Sequence, residues 1–370
     1  MKIGQLDTGV DGAHPALAGR VERFRCFAAN GFSDEEAEAT DGASHGTHTA
    51  GLMVGGVCEG RLIGIAPAAR LHCGAVIEAG NIVARTLLGL DWLAESGVSV
   101  VNLSLGVPGA TPVFRSMLRA LARRDILVVC PIGNGGAGSA GAPGCEAEVL
   151  SVGACGPDGR VARFSGSLND PRTKACCRPD VVANGVGSLS LAAGGGTSRQ
   201  SGTSAASAIV AGLAALLRQA FPRAPGAAIK RAIMVSAEPL GDDQSHRARH
   251  GRVRLLAAFA ALEQGITADA DETPDLALPE KKFVDPRLAE QLTRVRDDDP
   301  AQAILEFSTA AAADEASLRL RAEGDGQQEL RVLKNAAVII LRARASTVRE
   351  LLETPSVVIA SACDIERAFL

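Results

Sequence analysis

This 370-residue chain has no long apolar run, no leader-like start, no long run of basic residues and no CxxC cysteine pair, and each absence argues against a class of function. Aromatic residues are only 3% of the chain, with one Trp and no Tyr, and no cluster of Lys and Arg is expected beside exposed aromatics. With a formal net charge of −4 and a pI near 5.9, no electrostatic footprint for nucleic acid remains. Residues Met1-Lys2-Ile3-Gly4-Gln5-Leu6-Asp7 read as a short strand without the apolar core and small-residue cleavage site of a secretory signal, so a cytoplasmic protein is expected. The apolar run Ala208 to Leu217 falls short of the roughly 20 residues a membrane span needs, so a buried helix and no membrane partner are expected. The nine cysteines (Cys26, Cys58, Cys73, Cys130, Cys145, Cys155, Cys176, Cys177 and Cys363) are odd in number and have no ligand spacing. They read as reduced thiols rather than a zinc site, a disulfide framework or a catalytic Cys.

What is present suits a globular protein with many tight turns: 46% hydrophobic residues, 22% charged and 41 glycines. The length fits one large domain and a smaller one. From residue 1 to 262, short apolar runs such as Val98 to Leu103, Ile126 to Val129 and Val149 to Val152 alternate with helical patterns at His48 to Val54, Ile82 to Glu95, Pro112 to Arg124 and Ser204 to Gln219. That alternation predicts an α/β sandwich with a mainly parallel sheet covered by helices. Between Asp269 and Pro300 stand ten acidic and five basic residues and four prolines, so residues 263–300 read as an acidic, solvated linker, with room for one helical turn or more at Asp285 to Arg296. Residues 301–370 then read as strand Ala303 to Phe307, helix Ala311 to Ala322, strands Glu329 to Leu333 and Ala337 to Leu341, helix Thr347 to Glu353 and strand Val357 to Ala360. This βαββαβ order predicts a small α+β, ferredoxin-like domain.

Three short motifs carry chemistry. Asp7-Thr8-Gly9 ends an apolar strand, which places a carboxylate at a strand's C-terminal edge; alone, it is equally an ordinary turn. Ser44-His45-Gly46-Thr47-His48 precedes Thr49-Ala50-Gly51, whose small residues let a helix pack closely while its start presents an imidazole. Two histidines three apart raise zinc, but no third ligand follows in a known pattern, so His45 reads as a general base and His48 as a packed structural residue. Gly202-Thr203-Ser204-Ala205-Ala206-Ser207 precedes an apolar helix, so Ser204 is either an N-cap or an exposed nucleophile.

Taken together, in the order Asp, His, Ser, these segments resemble the active-site blocks of the subtilisin-like serine proteases. Leu6-Asp7-Thr8-Gly9-Val10-Asp11 with His14-Pro15, the His45 segment and the Ser204 segment carry the likeness. Gly64-Ile65-Ala66-Pro67 and Asn102-Leu103-Ser104-Leu105-Gly106 extend it over residues 1 to 260. The resemblance implies a catalytic triad of Asp7, His45 and Ser204, with Asn134 of Gly133-Asn134-Gly135 as a side-chain donor to the oxyanion. It also implies substrate-binding edges at Ser104, Leu105 and Gly106 and at Gly80, Asn81 and Ile82, with Gly141 and Gly144 lining a pocket for a large apolar residue. No cofactor is implied. The family's tight calcium site is expected to be absent, because Ala16 and Cys58 stand where oxygen ligands are usual.

Residues 303 to 370 resemble the family's prodomain, most closely at Val332 to Leu341 and Val348 to Val357, yet they follow the enzyme instead of preceding it. The resemblance implies that Ile365 to Leu370 enters the cleft as a product does, with Phe369 or Leu370 in the main pocket. Three readings of the whole follow: an endopeptidase restrained by its own C-terminal domain, a peptide-binding pseudoprotease, or an enzyme whose tail serves mainly as a folding chaperone.

Overall fold

The computed structural model describes residues 1–32, 34–77, 80–168, 178–265, 282–323 and 328–362. In chain order the first elements are β1 (Lys2–Asp7), β2 (Val21–Phe27), β3 (Asp34–Glu36), α1 (His45–Val54), β4 (Val57–Cys58), β5 (Arg61–Leu62), β6 (Arg70–Ala75), α2 (Ile82–Glu95), β7 (Val100–Leu103), β8 (Val107–Pro108) and α3 (Arg115–Arg123). Next come β9 (Leu127–Pro131), β10 (Gly141–Ala142), β11 (Leu150–Cys155), β12 (Val181–Asn184), β13 (Ser188–Leu191), β14 (Thr197–Gln200), α4 (Thr203–Ala220), α5 (Gly226–Val235), β15 (Gly251–Arg252) and α6 (Leu255–Glu263).

One sheet organises this part, in the order β15-β12-β11-β9-β7-β1-β6-β2-β3. Every pairing in it is parallel except β2 with the edge strand β3. The chain leaves β1 towards β2, returns to β6 beside β1, then crosses to β7 on β1's other side. Strand order therefore reverses at β1, and the crevice beyond its C-terminal end is where open α/β sheets hold ligands.

The two faces of β1 show why both layers fit. Gln5 points to α1, where its Nε2 donates to Gly46 O at 2.7 Å and Thr49 Oγ1 at 2.8 Å. Leu6 points the other way to α2, and a Cβ on Gly89 would lie 2.7 Å from Leu6 Cδ2, so a glycine lets that helix settle on the sheet. Helices α1 and α4 share one hydrophobic core, α2 and α3 the other. Helix α4 is long and apolar enough to cross a membrane by length and composition, but it is the central core helix, packed on β7, β9, β11 and β12.

The remaining elements are β16 (Phe283–Val284), α7 (Pro286–Arg294), β17 (Pro300–Phe307), α8 (Ala310–Glu323), β18 (Glu329–Val332), β19 (Val338–Arg344), α9 (Ala345–Glu353) and β20 (Val357–Ala362). They form a second sheet, β16-β20-β17-β19-β18, in which only β16 runs parallel to its neighbour. Leu305, Phe307, Ile339 and Leu341 face a core shared with Val348, Leu351, Leu288 and Leu292. Ile304, Leu333, Val338 and Ile340 face the opposite way and join the core of α2 and α3.

Part of the stretch read above as a solvated linker is thus folded. Asp285 caps α7 by accepting Arg287 N at 2.9 Å, Pro286 opens the helix, and Leu288 and Leu292, four apart, are buried beneath it. Its net charge argued for water, whereas its i,i+4 leucines and its cap argued for a docked helix, and the burial of the leucines decides. The second sheet accordingly starts at Phe283 rather than at residue 301, while α5 and α6 form where no helix is proposed above.

Candidate active site

Asp7 closes β1 with a fully buried side chain. Its Oδ1 accepts Thr8 N at 2.7 Å and lies 2.6 Å from His45 Nδ1, and its Oδ2 accepts Thr49 Oγ1 at 2.9 Å. A carboxylate tolerates such burial only when its oxygens are supplied with donors in this way. His45 opens α1. A Cβ on the next residue, Gly46, would fall 2.0 Å from Gly9 O, so only glycine lets the helix start approach the strand end this closely. Because Nδ1 faces a carboxylate it carries the proton of a neutral ring, which leaves Nε2 as the basic nitrogen. Burial lowers the His45 pKa, but the charge and hydrogen bond of Asp7, with a further contribution from the charge of Asp41, outweigh it and hold the pKa above the ordinary imidazole value.

Ser204 sits in the first turn of α4, and its hydroxyl donates to Ser104 O at 3.3 Å. In return Ser104 Oγ donates to Ser204 O at 3.2 Å and accepts Asn102 Nδ2 at 2.6 Å, tying the end of β7 to the start of α4. Asn134 follows β9. Its Oδ1 accepts both Thr203 N and Thr203 Oγ1 at 2.9 Å, which commits the other end of the amide to donating beside Gly202 and Ser204. Asp7 at the end of β1, Ser104 just after β7 and Asn134 shortly after β9 thus stand at the ends of three neighbouring strands, and α1 and α4, which carry His45 and Ser204, pack together.

The family model described as Subtilase family matches residues 1–252. The chain belongs to the subtilase family. It is 34% identical over 226 residues to an intracellular serine protease of Paenibacillus polymyxa, covering 59% of this chain and 67% of that protein. To the M-protease of Shouchella clausii it is 33% identical over 244 residues, covering 65% of this chain and 60% of that one's length. Among solved structures, the patellamide maturation protease PatA is similar with a TM-score of 0.59 and 26% identity, over 72% of this chain and 97% of PatA. This subtilase is therefore a serine protease by family.

The other expected site residues fall in several places around that centre. Leu105 is buried, and past Gly106 strand β8 pairs with β10, setting Pro108 opposite Gly141. Gly144 is close-packed: a Cβ there would meet Pro131 O at 2.0 Å. Below it, Glu146 is buried and paired with Arg115 at 2.9 Å. Gly80 has a φ of 72°, and a Cβ on it would meet Ala29 O at 2.2 Å. Asn81, the residue before Ile82 and α2, is buried, and its Nδ2 donates to Asn30 O at 2.9 Å and to Gln302 Oε1 of β17 at 2.8 Å. Phe369 and Leu370 lie outside the described residues, as do Cys176, Cys177 and Cys363. His48 is buried in α1 with its Nε2 2.9 Å from Ser188 O, and burial pushes its pKa down.

Among the described residues no three His, Cys, Asp or Glu side chains converge as a metal centre. At the loop of Ala16 and Cys58, Gly56 N donates to Ala16 O at 2.8 Å, and the Arg20 guanidinium donates to Pro67 O at 3.0 Å and Ala18 O at 3.2 Å. Among the described cysteines no disulfide forms; burial raises the Cys73 and Cys130 thiols well above their usual range and Cys145 to about 12. Thr8, Asp41, Thr49 and Thr203 support the site without being singled out above; three of them stand next to or within the quoted motifs, but several of the bonds they make reach residues far away in the chain.

Proposed function

We propose that this subtilase is an endopeptidase that cleaves peptide bonds through an acyl-enzyme, using Asp7, His45 and Ser204 as its triad and Asn134 as oxyanion donor. The observation that carries the reading is the 2.6 Å contact of buried Asp7 with His45 Nδ1, at the sheet edge where Ser204 and Asn134 also stand. Rotation of the Ser204 hydroxyl from Ser104 O towards His45 Nε2 hands over its proton as the oxygen attacks the substrate carbonyl. The imidazolium that forms faces Asp7, and the same proton then passes to the leaving amine. The tetrahedral oxyanion is met by Asn134 Nδ2 and the Ser204 N–H. Ser104, Leu105 and Gly106 flank the peptide on one side as an extended edge, while Gly80, Asn81 and Ile82, which lead into α2 and form no strand, border it on the other, and Gly141 and Gly144 border a pocket for a large apolar residue. The positive guanidinium of Arg20 beside Ala16 and Gly56 speaks against a calcium ion in that loop, so no metal is required.

The same proposal includes restraint by the C-terminal unit. Asp91 of α2 accepts the backbone N–H groups of Lys334 and Asn335 at 3.1 and 2.9 Å, and Gln302 contacts Asn81 in the proposed substrate edge. Ala303, next to Gln302, pairs with Ala362 at the end of β20, and eight residues follow. Eight extended residues span about 26 Å, and in this reading they bring Phe369 or Leu370 to the cleft. The similarity to an intracellular serine protease supports a cytoplasmic location.

A fluorophosphonate probe tests the chemistry. The full chain should be labelled at Ser204, Ser204→Ala should not be, and removal of residues 363–370 should speed labelling. A full chain and a tail-trimmed chain that both resist the probe while binding peptide would favour the pseudoprotease; equal labelling rates with and without the tail would end the autoinhibition part alone.

A further inference from the structure

We propose that Asp41 is a positioning residue of this active site, clamping the turn that presents His45 onto the strand end that carries Asp7. The inference rests on the triad reading above and concerns a residue outside the triad.

Asp41 lies four residues before His45, in the segment whose backbone pairs with Gly9. Its Oδ1 accepts Thr8 Oγ1 at 2.8 Å, Ser44 N at 3.0 Å and Ala43 N at 3.1 Å. Its Oδ2 accepts Thr47 N at 2.7 Å and Thr47 Oγ1 at 2.6 Å. All five partners are donors, and only an ionised carboxylate, which accepts on both oxygens, matches the whole set. The two threonines extend the clamp: Thr8 Oγ1 also accepts Gly46 N at 2.9 Å, and Thr47 Oγ1 accepts Asp11 N at 2.9 Å. One side chain thereby fixes both residues flanking His45 and the residue after Asp7.

Two further features say why such a clamp is needed. Ser44, immediately before His45, has a φ of 63°, a left-handed conformation that a non-glycine residue keeps only when its surroundings impose it. Its N–H is held by Asp41 and its Oγ accepts Ala193 N at 2.8 Å. Ser44 also offers no side-chain cap to α1, so Asp41 supplies that function from a distance by taking the Thr47 N–H.

The charge of Asp41 acts on the imidazole as well. The titratable groups around His45 are Asp7 from β1, Asp41 from the turn, and His48 in α1; Asp11, after β1, receives Ala13 N and Gly194 N. Burial works against the imidazolium, and Asp7 first and Asp41 next restore it. Removing the Asp41 charge should lower the His45 pKa, so the base stays neutral, and therefore active, to lower pH.

The test uses the full chain and a fluorogenic peptide, with kcat and KM measured against pH. Asp41→Asn should lower kcat by roughly 10-fold to 10²-fold with little change in KM, as a misplaced catalytic group does, and should move the acid limb of kcat to lower pH. Asp41→Glu should return the limb to its wild-type position while kcat recovers only in part. A purely structural residue would lower stability and kcat and leave the limb where it is, and that result, or no effect at all, overturns the proposal. NMR titration of His45 in Ser204→Ala, with and without Asp41→Asn, reads the same shift without any turnover; an unmoved titration also overturns it. If the wild-type and tail-trimmed chains both resist the fluorophosphonate probe, or label equally after Ser204→Ala, the triad reading itself has failed. Labelling confined to Ser204 with an unmoved limb sinks only the role of Asp41.

Discussion

At Asn134 the two ends of one amide do different work. Thr203 takes the oxygen twice, which leaves donation to the nitrogen, the end that the proposed mechanism uses. Asn134→Ala should lower kcat by about 10²–10³ with KM nearly unchanged in steady-state peptide hydrolysis. That range is what the loss of one such donor costs subtilisin itself and is not obtained from this chain. A variant with wild-type kcat would remove Asn134 from the machinery. As candidates, Asp7, His45, Ser204 and Asn134 were legible in the sequence through the order of their motifs, their flanking small residues and the family resemblance. Thr8, Asp41 and Thr203 were not, because their role lies in bonds to residues distant in the chain, and neither threonine nor aspartate announces such a bond.

For the elements, the decisive fact is how closely α1 meets β1. Gly46→Ala would drive a methyl group into the backbone oxygen of Gly9, an atom that cannot rotate aside. Overpacking of this kind costs roughly 1–3 kcal/mol or more, and here the strain falls beside the imidazole. We expect a lower thermal midpoint together with loss of nearly all peptidase activity, read by calorimetry and peptide hydrolysis. Gly89→Ala is the control: its new methyl meets the end of the Leu6 side chain, which can turn, so activity should largely survive. Helices α2 and α4 were readable at nearly their observed bounds because apolar periodicity and flanking turns agreed. The room seen for a helical turn or more at Asp285 to Arg296 is where α7 forms, though the acidic composition hid that its two leucines are buried; α6, apolar all round, carried too little periodicity to be proposed.

In the whole molecule, the second sheet rests on α2 and α3 through an apolar patch that contains one acid. Glu306 of β17 is only 3% exposed; it accepts a hydrogen bond from Ser116 of α3, and among the described residues its Oε2 has no partner. Burial pushes its pKa up, against the opposing effects of the Ser116 hydrogen bond and of the Arg119 and Arg115 charges. A carboxyl whose pKa is raised by packing stabilises the packed state fully below its ordinary value of 4.5 and loses that contribution as the pH climbs through the raised one. Glu306→Gln, neutral at every pH, should therefore hold the second sheet more firmly at neutral pH. Hydrogen exchange across β17 and β19 should be slower in the variant near pH 7.5 and nearly equal to wild type near pH 4; identical exchange at both would refute the assignment. The βαββαβ order was legible from the strand and helix runs, whereas the docking face was not, because β17 and β19 are apolar on both faces and alternation cannot tell which face meets α2 and α3.

The bond between Asn81 and Gln302 joins a proposed substrate edge to a sheet carried on the same polypeptide. Sixteen residues separate Gly265 from Lys282, so the sheet confronts that edge at an effective concentration on the order of millimolar however dilute the protein is. Dilution would then leave specific activity unchanged, and a competing peptide would have to outbid a partner that never diffuses away.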